Sequence, residues 1–186
     1  KVKVMDYAEG AADYDIPINR ALDKVVGYRD AGIIRTQADL DNLNNHYKSI
    51  FGEDHEYTVF GYKPELGMLI YKDLSGPNGK PDGKIDSYDR DIIADHSNSP
   101  FTAGLTLGFE WKGLSFETLL QGDFSGYRYL DGWHLNMYEW CRMPRKWLDH
   151  WSPETPNATF PSPKGADDFK SYNQVSTFTL HNYSFL

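Results

Sequence analysis

The stretch that decides the fold is Phe101-Thr-Ala-Gly-Leu105-Thr-Leu-Gly-Phe-Glu-Trp111-Lys-Gly113-Leu-Ser-Phe116-Glu-Thr-Leu-Leu120-Gln-Gly-Asp-Phe124. Phe101, Ala103, Leu105, Leu107, Phe109 and Trp111 alternate with Thr102, Gly104, Thr106, Gly108 and Glu110. Successive side chains of a strand point to opposite faces, so this pattern makes one apolar face and one small, polar face. Lys112-Gly113 suits a tight turn. Leu114, Phe116, Thr118 and Leu120 then resume the pattern against Ser115, Glu117, Leu119 and Gln121. Strands of this length match the roughly 9–11 residues of a tilted membrane-barrel strand. Two environments satisfy the alternation. One is a barrel hairpin with lipid on one side and a lumen on the other. The other is a half-buried hairpin in a soluble sandwich.

Composition narrows the field around this hairpin. The chain has 186 residues, formal net charge -8 and pI about 5.1, whereas nucleic-acid binders are usually basic. No nucleic-acid partner is expected. With 13 Tyr, 10 Phe and 5 Trp, it has the aromatic wealth of strands, sugar-stacking surfaces and membrane-interface girdles. Cys141 is the only cysteine, which excludes an internal disulfide and a Cys-rich zinc site. Mean hydropathy is -0.62 and no apolar run approaches the length of a membrane helix. A barrel is compatible with both facts, because its strands are short and alternate in polarity. Asp6 follows Lys1-Val-Lys-Val-Met5 with no apolar core behind it, so this start does not read as a signal peptide. The absence of an initiator Met suggests a processed or excised piece.

Residues 1–24 read as an irregular lead-in. Residues 24–35 read as a strand interrupted by glycines. Thr36-Gln-Ala-Asp39 is a capping-box-like start, followed at helical spacing by Leu40, Leu43, Tyr47 and Ile50 and stopped by Gly52. The spacing predicts a helix over 37–50. A short strand is expected at 67–73 and another at 176–186. Residues 127–170 form a long aromatic, proline-rich loop region with a helix around 135–143. About five strands are legible, fewer than the roughly eight that the smallest closed membrane barrels use. Such strands would need partners from outside this sequence.

The most chemical stretch is Asp73-Leu-Ser-Gly-Pro-Asn78-Gly-Lys-Pro-Asp82-Gly-Lys84-Ile-Asp86-Ser-Tyr-Asp89. From Asp82 onward it follows the second half of an EF-hand-type calcium loop, whose cation takes six to eight oxygen ligands. Asp73, Asp82, Asp86 and Asp89 would offer carboxylates, Lys84 its backbone carbonyl and Asn78 its amide oxygen. Gly83 would permit the sharp turn and Ile85 would anchor the loop by packing. The span is 17 residues where the motif has 12, because a Pro/Gly-rich insert occupies the first half. The same residues also suit a turn stapled by Asx hydrogen bonds, and Ser87 suits an N-cap for a helix over 88–94.

Read in order, these pieces carry a family resemblance. They are Gly67-Met-Leu-Ile-Tyr-Lys-Asp73, the Asp82-to-Arg90 turn, Pro100-Phe-Thr-Ala-Gly-Leu105, Trp111-Lys-Gly-Leu-Ser-Phe116 and Leu120-Gln-Gly122. Trp147, Trp151-Ser-Pro-Glu-Thr-Pro-Asn-Ala-Thr-Phe-Pro161 and Ser176-Thr-Phe-Thr-Leu-His-Asn-Tyr-Ser-Phe-Leu186 follow, and Gly27–Leu40 precedes. Over residues 25–186 the series resembles the C-terminal third of SusC/RagA-family TonB-dependent transporters. The resemblance implies a mainly β chain, part of a transmembrane antiparallel β-barrel with long extracellular loops and short helices. It implies the outer membrane of a Gram-negative bacterium and contact with the lipid bilayer. It also implies a SusD-like surface lipoprotein partner, a glycan or peptide oligomer as cargo, and energy from a TonB complex through a preceding N-terminal region. Members usually carry Asp-x-Asn-Gly-Asp-Gly in the acidic turn, from which the insert at 76–80 departs. They also run on into further strands.

Trp133, Trp140, Trp147 and Trp151 are candidates for stacking sugar rings in an extracellular loop, or for a loop cluster or girdle. The histidines lack His-x-x-x-His spacing, and no nucleophile elbow, phosphate loop or dinucleotide fingerprint occurs. An enzyme is not expected. The competing classes are a glycoside hydrolase, with Asp131, Glu139 and Asp149 near aromatics, and a soluble calcium-stabilised carbohydrate-binding module. The latter usually carries two acidic loops where this chain has one.

Overall fold

The computed structural model describes residues 24–129, 144–163 and 174–183. The lead-in up to residue 23, the helix expected around 135–143, and Trp133 and Trp140 lie outside the described residues.

The described chain is mainly strand, with one α-helix. In order come β1 (Val25–Gly27), β2 (Asp30–Ile33), α1 (Gln37–Phe51), β3 (Thr58–Val59), β4 (Leu69–Tyr71), β5 (Lys84–Ile85) and β6 (Asp91–Ala94). Then follow β7 (Phe101–Trp111), β8 (Leu114–Phe124), β9 (Tyr127–Tyr129) and β10 (Leu180–Asn182). The strands pair two by two: β1 with β6, β2 with β4, β7 with β8 and β9 with β10 antiparallel, and β3 with β5 parallel. Among the described residues no sheet closes on itself.

The helix forms where its signals stand. Thr36 accepts a hydrogen bond from the Asp39 N–H, and the Asp39 carboxylate accepts one from the Thr36 N–H, closing a capping box. Gly52 ends it at φ 110°, donating its N–H to the Lys48 carbonyl. Leu40, Leu43 and Tyr47 lay one stripe of the helix on a core of Tyr28, Ile34, Tyr57, Val59, Met68, Leu69, Tyr71, Ile85 and Trp147. Residues from 147–163 close over this core. Arg35 reaches across to donate to the carbonyls of Pro156 and Ala158 at 2.7 and 2.8 Å. The Trp151 indole donates back to the Arg35 carbonyl at 3.0 Å. Gly67 lies so close under Trp151 that any Cβ there would collide with the indole.

Three expectations need correction. The strand at 24–35 is two strands, because β1 and β2 take different partners and Tyr28 between them bridges to Ser176. Residues 88–94 are not a helix: a 3-10 turn over Ser87–Asp89 gives way to β6, and Asp86 rather than Ser87 caps it. Ile92 and Ile93 suit a strand, and the pairing with β1 is reinforced by the ion pair of Arg29 with Asp91 at 2.7 Å. The strand expected from 176 starts only at Leu180. Ser176 and Thr179 hydrogen-bond each other's backbone and side chains, which favours a turn.

The hairpin forms as the alternation predicts. Its register is unbroken from Phe101↔Phe124 to Trp111↔Leu114, and Lys112 and Gly113 take φ of 49° and 84°. Both central residues at positive φ make the two-residue turn whose twist matches the strands. Leu105 faces Leu120 and Phe109 faces Phe116 across the apolar side. Phe101, Leu105, Leu107, Phe109, Trp111, Leu114, Phe116 and Leu120 are all exposed.

Candidate functional site

The acidic loop spans from the end of β4 to the 3-10 turn before β6. Asp89, its last carboxylate, is fully buried. One Asp89 oxygen accepts from the N–H groups of Leu74 and Ser75 at 2.7 and 3.1 Å; the other accepts from Asp86 at 2.9 Å. Asp73 accepts from the N–H groups of Asp82 and Gly83 at 3.3 and 2.6 Å. Asp73 and Asp89 therefore tie the two halves of the loop together through backbone amides. They also stand within hydrogen-bonding reach of each other. Burial pushes the Asp89 carboxyl up to about 6, against the pull of its three amide donors, and the Asp73 charge adds to the rise. Burial likewise raises Asp73 above the ordinary carboxylate range.

Asp82 and Asp86 do something else. Asp82 accepts from its own turn, the Lys84 N–H, at 3.0 Å, and Asp86 caps Tyr88 at 2.8 Å. Asn78 is exposed at the tip of a turn closed by the Gly79 N–H on the Gly76 carbonyl at 2.8 Å. Lys84 is exposed in β5, while Ile85 beside it is buried in the core, as an anchoring residue must be. The side chains thus form a carboxylate pair flanked by local caps. Among the described residues no three His, Cys, Asp or Glu side chains come together as a metal-holding group. Asp82 and Asp86 each keep a second oxygen beyond these local bonds, so a calcium ion, if bound, would draw on the Asp73–Asp89 pair and on those oxygens.

His55 completes the loop, and the motif gives no sign of it. Its Nε2 lies 3.2 Å from the Gly83 carbonyl oxygen. Gly83 has φ 78° and no room for a Cβ, which would collide with that imidazole. Only glycine meets both demands. The two residues are far apart in sequence, so spacing alone offers no signal. Next to His55 a polar cleft of about 460 Å³ opens by the end of α1, lined by Asn44, Lys48, Glu53, Tyr57 and Lys63 among others.

The tryptophans divide. Trp147 is fully buried, packed on Phe160 with ring centroids 5.1 Å apart, and Trp151 is buried against Gly67 and Ser162. Neither ring presents a free face to a sugar here; both hold the 147–163 segment onto the core. The hairpin is the converse case, for its rings and leucines face outward. Its other face is small and polar, with the Thr102 hydroxyl donating to Asp123 at 2.6 Å. Leu119, exposed on that side, is its large apolar exception.

Comparison with protein-family models, curated proteins and solved structures gives no match for this chain.

Proposed function

We propose that this chain is part of an outer-membrane, TonB-dependent nutrient importer of the SusC/RagA kind. In this reading β7 and β8 are two adjacent strands of its transmembrane barrel. The observation that carries the reading is the exposed ribbon. Eight large apolar side chains line one face of the hairpin, and among the described residues no other strand pairs with either of its edges. In water such a contiguous apolar face is a liability. In hydrocarbon it is the favourable arrangement, with the Thr/Gly/Glu face turned to a lumen. A soluble binding module or hydrolase would have to cover that ribbon with a second layer.

The reading assigns the chain no catalytic step. Import would need the TonB complex acting on a region outside this sequence, with a SusD-like lipoprotein delivering a glycan or peptide oligomer. The bilayer is the partner of the apolar hairpin face.

The test is fractionation of source cells probed with an antibody raised to this segment. An outer-membrane band much larger than 21.3 kDa is the expected result. A soluble band near 21.3 kDa would sink the barrel reading and favour the soluble alternatives.

A further inference from the structure

We propose that Asn78, at the tip of the insert in the acidic loop, is a modification site: its side-chain amide is lost by spontaneous hydrolysis, through attack of the Gly79 backbone nitrogen. The chemistry is local to the loop and does not depend on the hairpin crossing a membrane.

The reaction needs an asparagine, an unscreened backbone nitrogen after it, and room for the chain to turn. Attack of the Gly79 nitrogen on Asn78 Cγ closes a five-membered ring. The N–H proton goes to solvent base, the N–Cγ bond forms, the Cγ–Nδ2 bond breaks and ammonia leaves. The cyclic imide then takes up water. Opening at Cγ gives aspartate. Opening at the main-chain carbonyl gives isoaspartate, with the backbone rerouted through the side chain. The net change is amide plus water to carboxylate plus ammonium.

The structure meets these needs at one position. Asn78 and Gly79 are both exposed, and a Cβ built on Gly79 would meet nothing within 4 Å. Glycine has no side chain to screen its nitrogen. The Gly79 N–H is held by the turn bond to the Gly76 carbonyl at 2.8 Å, and such a bond at an exposed loop tip opens at little cost. The other described asparagines, and Asp82-Gly83, are guarded. Gly83 is buried under the His55 imidazole and gives its N–H to the Asp73 carboxylate at 2.6 Å. Ser99, after Asn98, gives its N–H to the Tyr183 hydroxyl at 3.0 Å. Ala158, after Asn157, is buried, with its N–H on the Thr155 carbonyl at 3.2 Å. Tyr183, after Asn182, donates to the Gly126 carbonyl at 3.0 Å and carries a bulky ring. Asn42, Asn44 and Asn45 lie within α1, where the helix fixes the backbone.

Conversion adds a negative charge to a chain already at -8, on a turn whose first residue, Gly76, abuts the Asp82 carboxyl. It leaves the closure of the loop intact, because the amides that hold Asp73 and Asp89 belong to Leu74, Ser75, Asp82, Gly83 and Asp86, all outside the turn. The step is one-way, so the converted fraction records the age of the molecule.

The experiment ages purified full-length protein at neutral and at mildly alkaline pH, beside a sample unfolded in denaturant. Peptides are mapped by mass spectrometry with fragmentation that separates isoaspartate from aspartate. The expected result in folded protein is that the Asn78 peptide gains the mass of an amide-to-acid exchange, shows both isomers, and converts faster at the higher pH. Peptides holding Asn98, Asn157 and Asn182 stay unchanged over the same time, and no isoaspartate forms at Asp82. Charge separation shows a new acidic species that Asn78→Gln lacks. An intact Asn78 in aged folded protein overturns the proposal; conversion confined to the unfolded sample would identify the Gly76–Gly79 bond as the brake. Conversion at Asn98 or Asn157 ahead of Asn78 also overturns it.

Discussion

The body and the hairpin use the same residue types in opposite ways. In the body, Tyr57, Met68, Leu69 and Trp147 are at most 2% exposed, whereas in the hairpin Phe101, Trp111 and Leu114 are 60% exposed or more. The body wraps three stretches of chain around one buried core and leaves few large apolar groups, such as Ile50 and Leu148, at its surface. The hairpin has no interior at all; its stability comes from one ladder and from whatever covers its face. A lone two-stranded ribbon is marginal in water. The difference teaches that burial inside the chain is only half of this protein's hydrophobic arrangement, and substitutions in the two regions should fail by different routes.

The strongest test of that contrast is Trp147→Ala. Removing a fully buried tryptophan costs about 3–5 kcal/mol. The expected outcome is a body that melts and is cleaved by protease at markedly lower temperature, while, if the hairpin belongs to a membrane barrel as proposed, assembly of that barrel persists. Loss of both together would mean that body and hairpin are one cooperative unit. The complementary change is Leu105→Arg or Leu107→Arg. On a lipid face near the midplane each costs about 2–4 kcal/mol, and the measurement is the fraction of full-length protein assembled in the outer membrane. On a merely solvated ribbon the same change stays within about 0.5 kcal/mol. Unimpaired assembly of both variants reverses the assignment of the hairpin faces.

What the sequence made legible follows from how local each signal is. The helix rests on a capping box four residues wide and a Gly52 stop, and the hairpin on contiguous alternation around one turn. Both are therefore readable without tertiary knowledge. The β1–β6 and β3–β5 pairings are two to four residues long and join segments far apart, so no periodicity marks them. The tryptophans are visible as composition, but whether a ring meets solvent depends on Gly67 and Arg35, which lie in another part of the chain. The acidic loop was legible as chemistry, carboxylates around a glycine turn. Its closure by amides of Leu74, Ser75 and Gly83, with His55 as a lid, was not, because backbone donors have no sequence code.

That loop gives the body a pH dependence of its own. Folded Asp89 holds its proton more tightly than an unfolded aspartate, about 6 against 3.8. Its contribution to stability is therefore fully present below the unfolded value and is lost as pH rises through about 6. Each tenfold change in proton affinity is worth about 1.4 kcal/mol, so body stability should fall by about 1 kcal/mol between pH 5 and 7. A melting series across that range checks it, with Asp89→Asn flattening the slope. A melting temperature that rises with pH would mean the carboxylate is held ionised, by a cation or by donors that this geometry does not contain.

The smallest expected effect is that of a chelator. If the loop is closed by its own amides, EDTA leaves the melting temperature of the body unchanged, and added calcium does too. Asp82 and Asp86 spend an oxygen each on their local turns, and Asn78 sits out at the tip of the insert. Binding only the native state stabilises it by RT ln(1 + [L]/Kd), so even a modest site saturated a hundredfold shows about 2.7 kcal/mol, well above the pH effect. A null result is therefore informative and not a matter of sensitivity. A clear drop with EDTA, reversed by calcium and abolished in Asp73→Ala, would mean that Asp82 and Asp86 swing inward. The raised Asp73–Asp89 pair would then be the place where a cation takes over from a proton.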